Sequence, residues 1–284
     1  ANNAEEVNKI IKGPHRLPIL LDVFYNDTVA HAPLIIFCHG YKGFKDWGAW
    51  NLLAKTFADS GIAFLKFNFS HNGGSVEQPI DFPDLEAFGH NNYTKELDDL
   101  SQVLDWVETT YSEHPYIDAS NITLVGHSPG GGIVTLKAAE DSSVKTLVSL
   151  AGVSDFQSRF PKGTDLDAWE STGVRFIMNG RTKQQMPHYF QFFEDFIANA
   201  SRLTIQAAAK NLKLPHLIIH GDTDTSVDLK EAFALHKWHP ESQLILLEGA
   251  NHVFGSHHPW DFSELPPYLQ QIHSKISHFI NNLQ

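Results

Sequence analysis

The chain has 284 residues, 42% of them hydrophobic and 19% charged, a balance that fits one large or two small folded domains and excludes a largely disordered chain. Lys and Arg number 21 against 33 Asp and Glu, a formal charge of −12, so no basic stripe is available for a nucleic-acid backbone. No apolar run approaches the roughly 18–20 residues of a membrane span, and the one cysteine, Cys38, excludes an internal disulfide or a multi-cysteine metal site.

The sequence begins Ala1-Asn2-Asn3, without a methionine, and shows no basic segment followed by an apolar one. A cytoplasmic location is the expectation, although a cleaved leader would leave no trace. Short apolar runs then recur at 19–24, 34–38, 63–67, 122–125, 146–150, 217–220 and 244–247. Most are apolar on both faces, as strands of a parallel sheet covered by helices must be. Between them the pattern turns helical. Leu97, Leu100, Leu104 and Val107 share one face, and Leu269, Ile272, Ile276, Phe279 and Leu283 do so near the end of the chain. The stretch 72–92, rich in Gly, Pro, Asp and Asn, reads as a long surface loop. Alternating strands and helices predict an α/β fold with a mostly parallel central sheet and helices on both faces.

The alternation breaks at 153–212. There Asn179-Gly180 separates runs at 174–178 and 181–186, a hairpin signal, and the aromatic helical stretch Tyr189, Phe190, Phe192, Phe193 and Phe196 follows. The expected organisation is a core of 1–152 and 213–284 with 153–212 inserted as a cap containing a β-hairpin and helices. A longer crossover without functional role is the plain alternative, and the aromatic set and Trp169 serve a cap core as readily as a substrate pocket.

Gly126-His127-Ser128-Pro129-Gly130 fits G-x-S-x-G, with an apolar run before it and a helix-compatible stretch after it. Strand, sharp turn and helix are the context that lifts a serine out at the carboxyl end of a sheet. A serine hydroxyl needs a base, and the base an orienting acid. On such turns the acid and then the histidine follow along the chain. After the run at 217–220 comes Gly221-Asp222-Thr223-Asp224, and after 244–247 comes Gly249-Ala250-Asn251-His252. Ser128, Asp224 and His252 are therefore the candidate catalytic residues, with Asp222 as rival acid and Asp155 as a further one.

Acyl transfer also needs donors for the developing oxyanion. His39-Gly40-Tyr41 follows the run at 34–38 and points to the Tyr41 amide, with His39 as an anchor of the loop. The second donor is normally the amide after the nucleophile, but that residue is Pro129, which has no N–H. Either the enzyme is slow, another donor substitutes, or the chemistry has been lost; the otherwise complete set favours an active enzyme.

With these motifs the chain resembles the α/β-hydrolase superfamily from about residue 17 onward, and within it small capped esterases of the dienelactone-hydrolase and cinnamoyl- or feruloyl-esterase kind. The resemblance implies that the acid follows a Gly-x-x-Asp pattern, which selects Asp224, and that the reaction is hydrolysis of a small-molecule carboxylic ester through an acyl-enzyme on Ser128, with no cofactor. Pro129 departs from the common pattern. A prolyl-oligopeptidase-like peptidase shares this catalytic domain but generally carries a large extra domain before it, which ranks a free-standing peptidase, like a thioesterase, second. A non-catalytic binding protein is the alternative from another class. His257-His258 lacks a third ligand at useful spacing, so no metal is expected. Cys38 reads as core.

Overall fold

The computed structural model describes residues 3–283. The chain opens with β1 (Asn3–Ile11), β2 (Ile19–Asn26) and β3 (Ala32–Cys38). It continues through α1 (Trp50–Asp59), β4 (Ala63–Asn68), α2 (Leu85–Gly89), α3 (Tyr93–Tyr111), β5 (Ile117–His127), α4 (Pro129–Glu140) and β6 (Val144–Leu150). A 3-10 turn at Gln157–Arg159 leads to α5 (Gly163–Thr172), β7 (Val174–Asn179), β8 (Gln184–Tyr189), α6 (Gln191–Ala198) and α7 (Ile205–Lys210). Then come β9 (His216–Gly221), α8 (Leu229–Trp238), β10 (Gln243–Leu247) and α9 (Pro267–Asn281).

Eight strands form one sheet in the order β1-β2-β4-β3-β5-β6-β9-β10, parallel from β4 to β10, with β2 antiparallel to both of its neighbours. All seven apolar runs are strands of this sheet. In β3 the period of two sends Leu34, Ile36 and Cys38 into one core, with α3 and α4, and Ile35 and Phe37 into the other, with α1 and α9. The edge strand β1 has no counterpart among the predicted runs. Its apolar residues do not alternate cleanly, Val7 and Ile10 are exposed, and the register slips between Glu6 and Lys9.

Between β6 and β9 the hairpin β7–β8 forms a separate two-stranded sheet. Its turn is longer than the Asn-Gly pair suggests. Asn179 pairs with Gln184, and the Asn179 side-chain oxygen accepts from the amides of Arg181 (3.1 Å) and Thr182 (3.2 Å). Asn179 thus closes a four-residue connection from its base, and the second strand starts at 184 rather than 181. The stretch 72–92 also differs from a surface loop. It contains α2, capped by the Asp84 carboxylate on the Ala87 amide, and it buries Phe82 and Phe88 against Phe44 and Met186. Two aromatic side chains with apolar partners in reach outweigh the polar composition around them.

Candidate active site

Strand β5 ends at His127 and helix α4 begins at Pro129, leaving Ser128 alone in the turn with φ +60° and ψ −124°. Such a conformation costs a non-glycine residue about 1–3 kcal/mol and is kept only where the surroundings impose it. They do so through the backbone. The Ser128 amide donates to the Leu150 carbonyl (3.0 Å), and the Ser128 carbonyl accepts from the amides of Gly131 (2.9 Å) and Val153 (3.3 Å). A Cβ on Gly126 would stand 2.2 Å from the Gly130 carbonyl oxygen, and one on Gly130 2.5 Å from that of His39, so the motif's glycines are needed for strand and helix to meet this closely. Pro129 occupies the first turn of α4, where a missing amide breaks no helical bond.

His252 lies in the loop between β10 and α9, with Nδ1 2.8 Å from Asp224 Oδ2. Asp224 Oδ1 accepts from the amides of Ser226 and Val227, each at 2.8 Å. Burial alone would raise the Asp224 carboxyl; the bonds from His252, Val227 and Ser226 outweigh it and hold the group below the usual carboxylate range. An ionised Asp224 accepts only, so His252 Nδ1 carries the proton and Nε2 is free to accept one. Ser128 and His252 line the same pocket, of about 460 Å³, and a second opening of about 410 Å³ on the Trp47 side. The Ser128 hydroxyl makes no hydrogen bond to His252 among the described residues; that contact is often loose before substrate binds. The rival acids are engaged elsewhere. Asp222 Oδ1 accepts from the Gly249 amide (2.8 Å), and Asp155 Oδ2 from the Ser158 amide (2.8 Å).

Tyr41 lines both openings, and its amide has no hydrogen-bond partner among the described residues. Its hydroxyl is 2.7 Å from His188 Nε2 on β8. The loop carrying Tyr41 is held by His39, whose Nδ1 donates to the Gly40 carbonyl (2.9 Å) and whose Nε2 accepts from the Phe69 amide (3.2 Å). Burial pushes this imidazole down to about 4, so it stays neutral and can bond in both senses.

Two positioning features were not anticipated from the sequence. His127 donates from Nε2 to the His252 carbonyl (2.9 Å), tying the histidine loop to the strand before Ser128. Its only sequence signal is its place inside the motif. Beyond the Tyr41 loop, Lys45 and Lys66 share Asp22 and Asp46, with Lys45 Nζ 3.0 Å from Asp22 and 2.8 Å from Asp46. Both lysine side chains are wholly inaccessible to solvent.

Phe88, Tyr93, Phe160, Trp169 and Phe192 form aromatic walls of the larger pocket. Of the aromatic set around α6, Phe192 thus faces the pocket, while Phe193 and Phe196 pack on Phe160. Cys38 is buried in β3. His257 Nδ1 donates to the Pro259 carbonyl (2.8 Å) and His258 Nδ1 accepts from the Gly48 amide (2.9 Å). Among the described residues no group of three or more His, Cys, Asp and Glu is disposed to hold a metal ion.

The sequence profile of the prolyl oligopeptidase family matches residues 52–261, from α1 to beyond His252. The chain belongs to the prolyl oligopeptidase family. The fold recurs in solved structures. Est1E from Butyrivibrio proteoclasticus, with ferulic acid bound, superimposes with a TM-score of 0.69 at 19% identity, over 96% of this chain and 98% of that one. The esterase domain of a Rhodothermus marinus protein gives 0.63 at 17% identity, over 98% of each chain. At such identities the likeness concerns the fold, which is that of the α/β-hydrolases. An Escherichia coli chain, the uncharacterized 31.7 kDa protein in the traX-finO intergenic region, is 33% identical over 127 residues. That match spans 43% of this chain and only 38% of the relative. Family and fold together support a serine hydrolase. Among the described residues, no helix is long and apolar enough to cross a membrane.

Proposed function

We propose that this prolyl oligopeptidase family member hydrolyses small-molecule carboxylic esters through an acyl-enzyme on Ser128. The observation that carries the reading is the Asp224–His252 hydrogen bond of 2.8 Å beside a serine held at φ +60° in the turn between β5 and α4. In this reading His252 Nε2 takes the Ser128 proton as Oγ attacks the ester carbonyl. Asp224 fixes the imidazole tautomer and stabilises the cation that forms. The Tyr41 amide receives charge on the carbonyl oxygen. The tetrahedral adduct collapses as His252 returns the proton to the leaving alcohol. Water, deprotonated by His252, then attacks the acyl-enzyme, and the carboxylic acid and free Ser128 are released. Residues 153–212 act as a cap, since Phe160, Trp169, Arg175, His188 and Phe192 all line the pocket from that segment.

Family membership favours a second reading, cleavage of a peptide bond by the same groups. The test is turnover of a 4-nitrophenyl ester series beside a Gly-Pro 4-nitroanilide, with fluorophosphonate labelling and a Ser128→Ala control. Ester turnover lost in the control, with label on Ser128, is the expected result. Anilide cleavage exceeding ester cleavage would move the protein to the peptidases. No turnover and no label would leave a binding protein on a hydrolase scaffold.

A further inference from the structure

The pocket that holds Ser128 also holds charge that the proposed chemistry does not use. Lys42, Arg159 and Arg175 line it. Arg159 is engaged, with Nη1 3.1 Å from Glu231 Oε2 and Nη2 donating to the Ser226 carbonyl at 3.1 Å. Arg175 and Lys42 are half-buried, and among the described residues neither side chain has a carboxylate partner or a hydrogen bond. Each lies near an aromatic ring instead, Arg175 5.6 Å from the centroid of Trp169 and Lys42 5.5 Å from that of Tyr41.

Their placement follows from the fold. The strand period of two puts Arg175 and Ile177 on the pocket side of β7, while Phe176 and Met178 face solvent. Lys42 sits in the Tyr41 loop, and His188 of β8 feels both cations. Burial first, then Arg175 and Lys42, push its imidazole down to about 4, so it adds no charge near neutral pH. The carboxyl among the lining residues is Glu96, and burial raises it to about 8, so near neutral pH it is mostly protonated and does not neutralise the cations. A chain of net charge −12 thus presents two unpaired cations in the pocket that its candidate nucleophile also lines.

We infer that Arg175 and Lys42 form a subsite for a carboxylate on the substrate, so that the favoured ester carries a negative charge in its acyl or its alcohol part. The inference rests on the serine-hydrolase reading for the word ester, but not for the anion. The guanidinium offers a planar fork suited to a carboxylate, and the lysine a point charge beside it.

Two matched pairs of esters test it. 4-Nitrophenyl hydrogen terephthalate and its methyl ester differ in charge on the acyl side; 4-acetoxybenzoate and its methyl ester differ on the alcohol side. The wild-type protein is expected to favour the charged member of at least one pair by about tenfold in kcat/KM, and less so in high salt. Arg175→Gln should collapse that ratio, Lys42→Gln should reduce it, and Arg175→Lys should restore part of it. Equal rates within both pairs, or an Arg175→Gln variant that slows both members alike, would overturn the subsite. Calorimetric binding of monomethyl and dimethyl terephthalate to Ser128→Ala gives a readout apart from turnover. Binding of the monoanion alone, with no ester cleaved by the wild type, would sustain the subsite while removing the hydrolase reading. Binding of neither, or of both equally, would remove the subsite.

Discussion

Replacing Pro129 by alanine adds one backbone N–H directly after the candidate nucleophile. Position 129 is the first of α4, where no intrahelical acceptor exists for an amide, so the new donor has no competing partner within the helix. It would stand next to Ser128 at the positive end of the helix dipole, where a developing anion is favoured. Loss of a donor of this kind costs about 10²–10³ in kcat where it has been measured. A site that has worked without it should recover less, about tenfold or more in kcat. The change also frees the backbone of the unfolded chain, at about 0.4–1 kcal/mol of stability. Steady-state hydrolysis of 4-nitrophenyl esters reads the rate, and thermal melting reads the cost. Pro129→Ala/Ser128→Ala, which keeps the new amide without the nucleophile, should show no turnover. If Pro129→Ala melts almost as the parent does yet hydrolyses esters no faster, the missing amide is not what limits the reaction. Another group, such as the Tyr41 hydroxyl, would then have to supply the donor.

Asp224→Asn should lower kcat by roughly 10³–10⁴, because an amide does not hold His252 in the tautomer that accepts the serine proton, while Asp222→Asn changes kcat far less; ester kinetics of the two variants decide between the acids. Lys66→Met leaves Asp22 and Asp46 with Lys45 alone in a site where only Asp46 reaches solvent, and urea titration should show a loss of about 3–5 kcal/mol, a change under 1 kcal/mol refuting the buried network. Stability should peak near pH 6.5. Burial lowers His39, His71 and His188 to about 4 and His127 and His216 to about 3, so their contribution is present above 6.5 and is lost as pH falls toward 4. Burial raises Glu96 to about 8 and Asp99 to about 7, so theirs is present below the ordinary carboxylate range and lost as pH rises through 7 to 8. Chemical denaturation across pH 4–9 should therefore give a bell, and Glu96→Gln should flatten its alkaline arm; an arm unchanged in that variant would refute the assignment.

Much of this molecule is legible in one dimension. A parallel strand buried on both faces reads as a nearly continuous apolar run, and that marks β3, β4, β5, β6 and β9 despite isolated buried polar residues such as Lys66 and Ser149. The Gly126–Gly130 motif is readable because the strand–helix turn tolerates no Cβ at its glycines. Asp224 and His252 are readable because each follows a strand of the same sheet, whose carboxyl ends converge. The edge strand β1 was not legible, since half of its groups face solvent and the pattern weakens. The hairpin was read with its second strand three residues early, because the Asn179 side chain, not the Asn-Gly backbone, shapes the turn.

The sequence by itself determined the α/β sheet, the order along the chain of seven of its eight strands, and the candidates for its carboxyl edge, namely Ser128, an acid of the Gly221–Asp224 turn and His252. Those follow from local rules, the periodicity of burial and the steric demands of one turn. Between Asp222 and Asp224 the residues alone leave a choice that the resemblance makes for Asp224, and the fold sends Asp224 to the histidine and Asp222 to the Gly249 amide. Tertiary structure decided that His127 holds the His252 loop, that Lys45 and Lys66 are buried with two aspartates, and that Arg175 faces the pocket unpaired. A charged side chain carries no mark of its partner in the sequence, because the partner is chosen by distance in space between segments far apart in the chain.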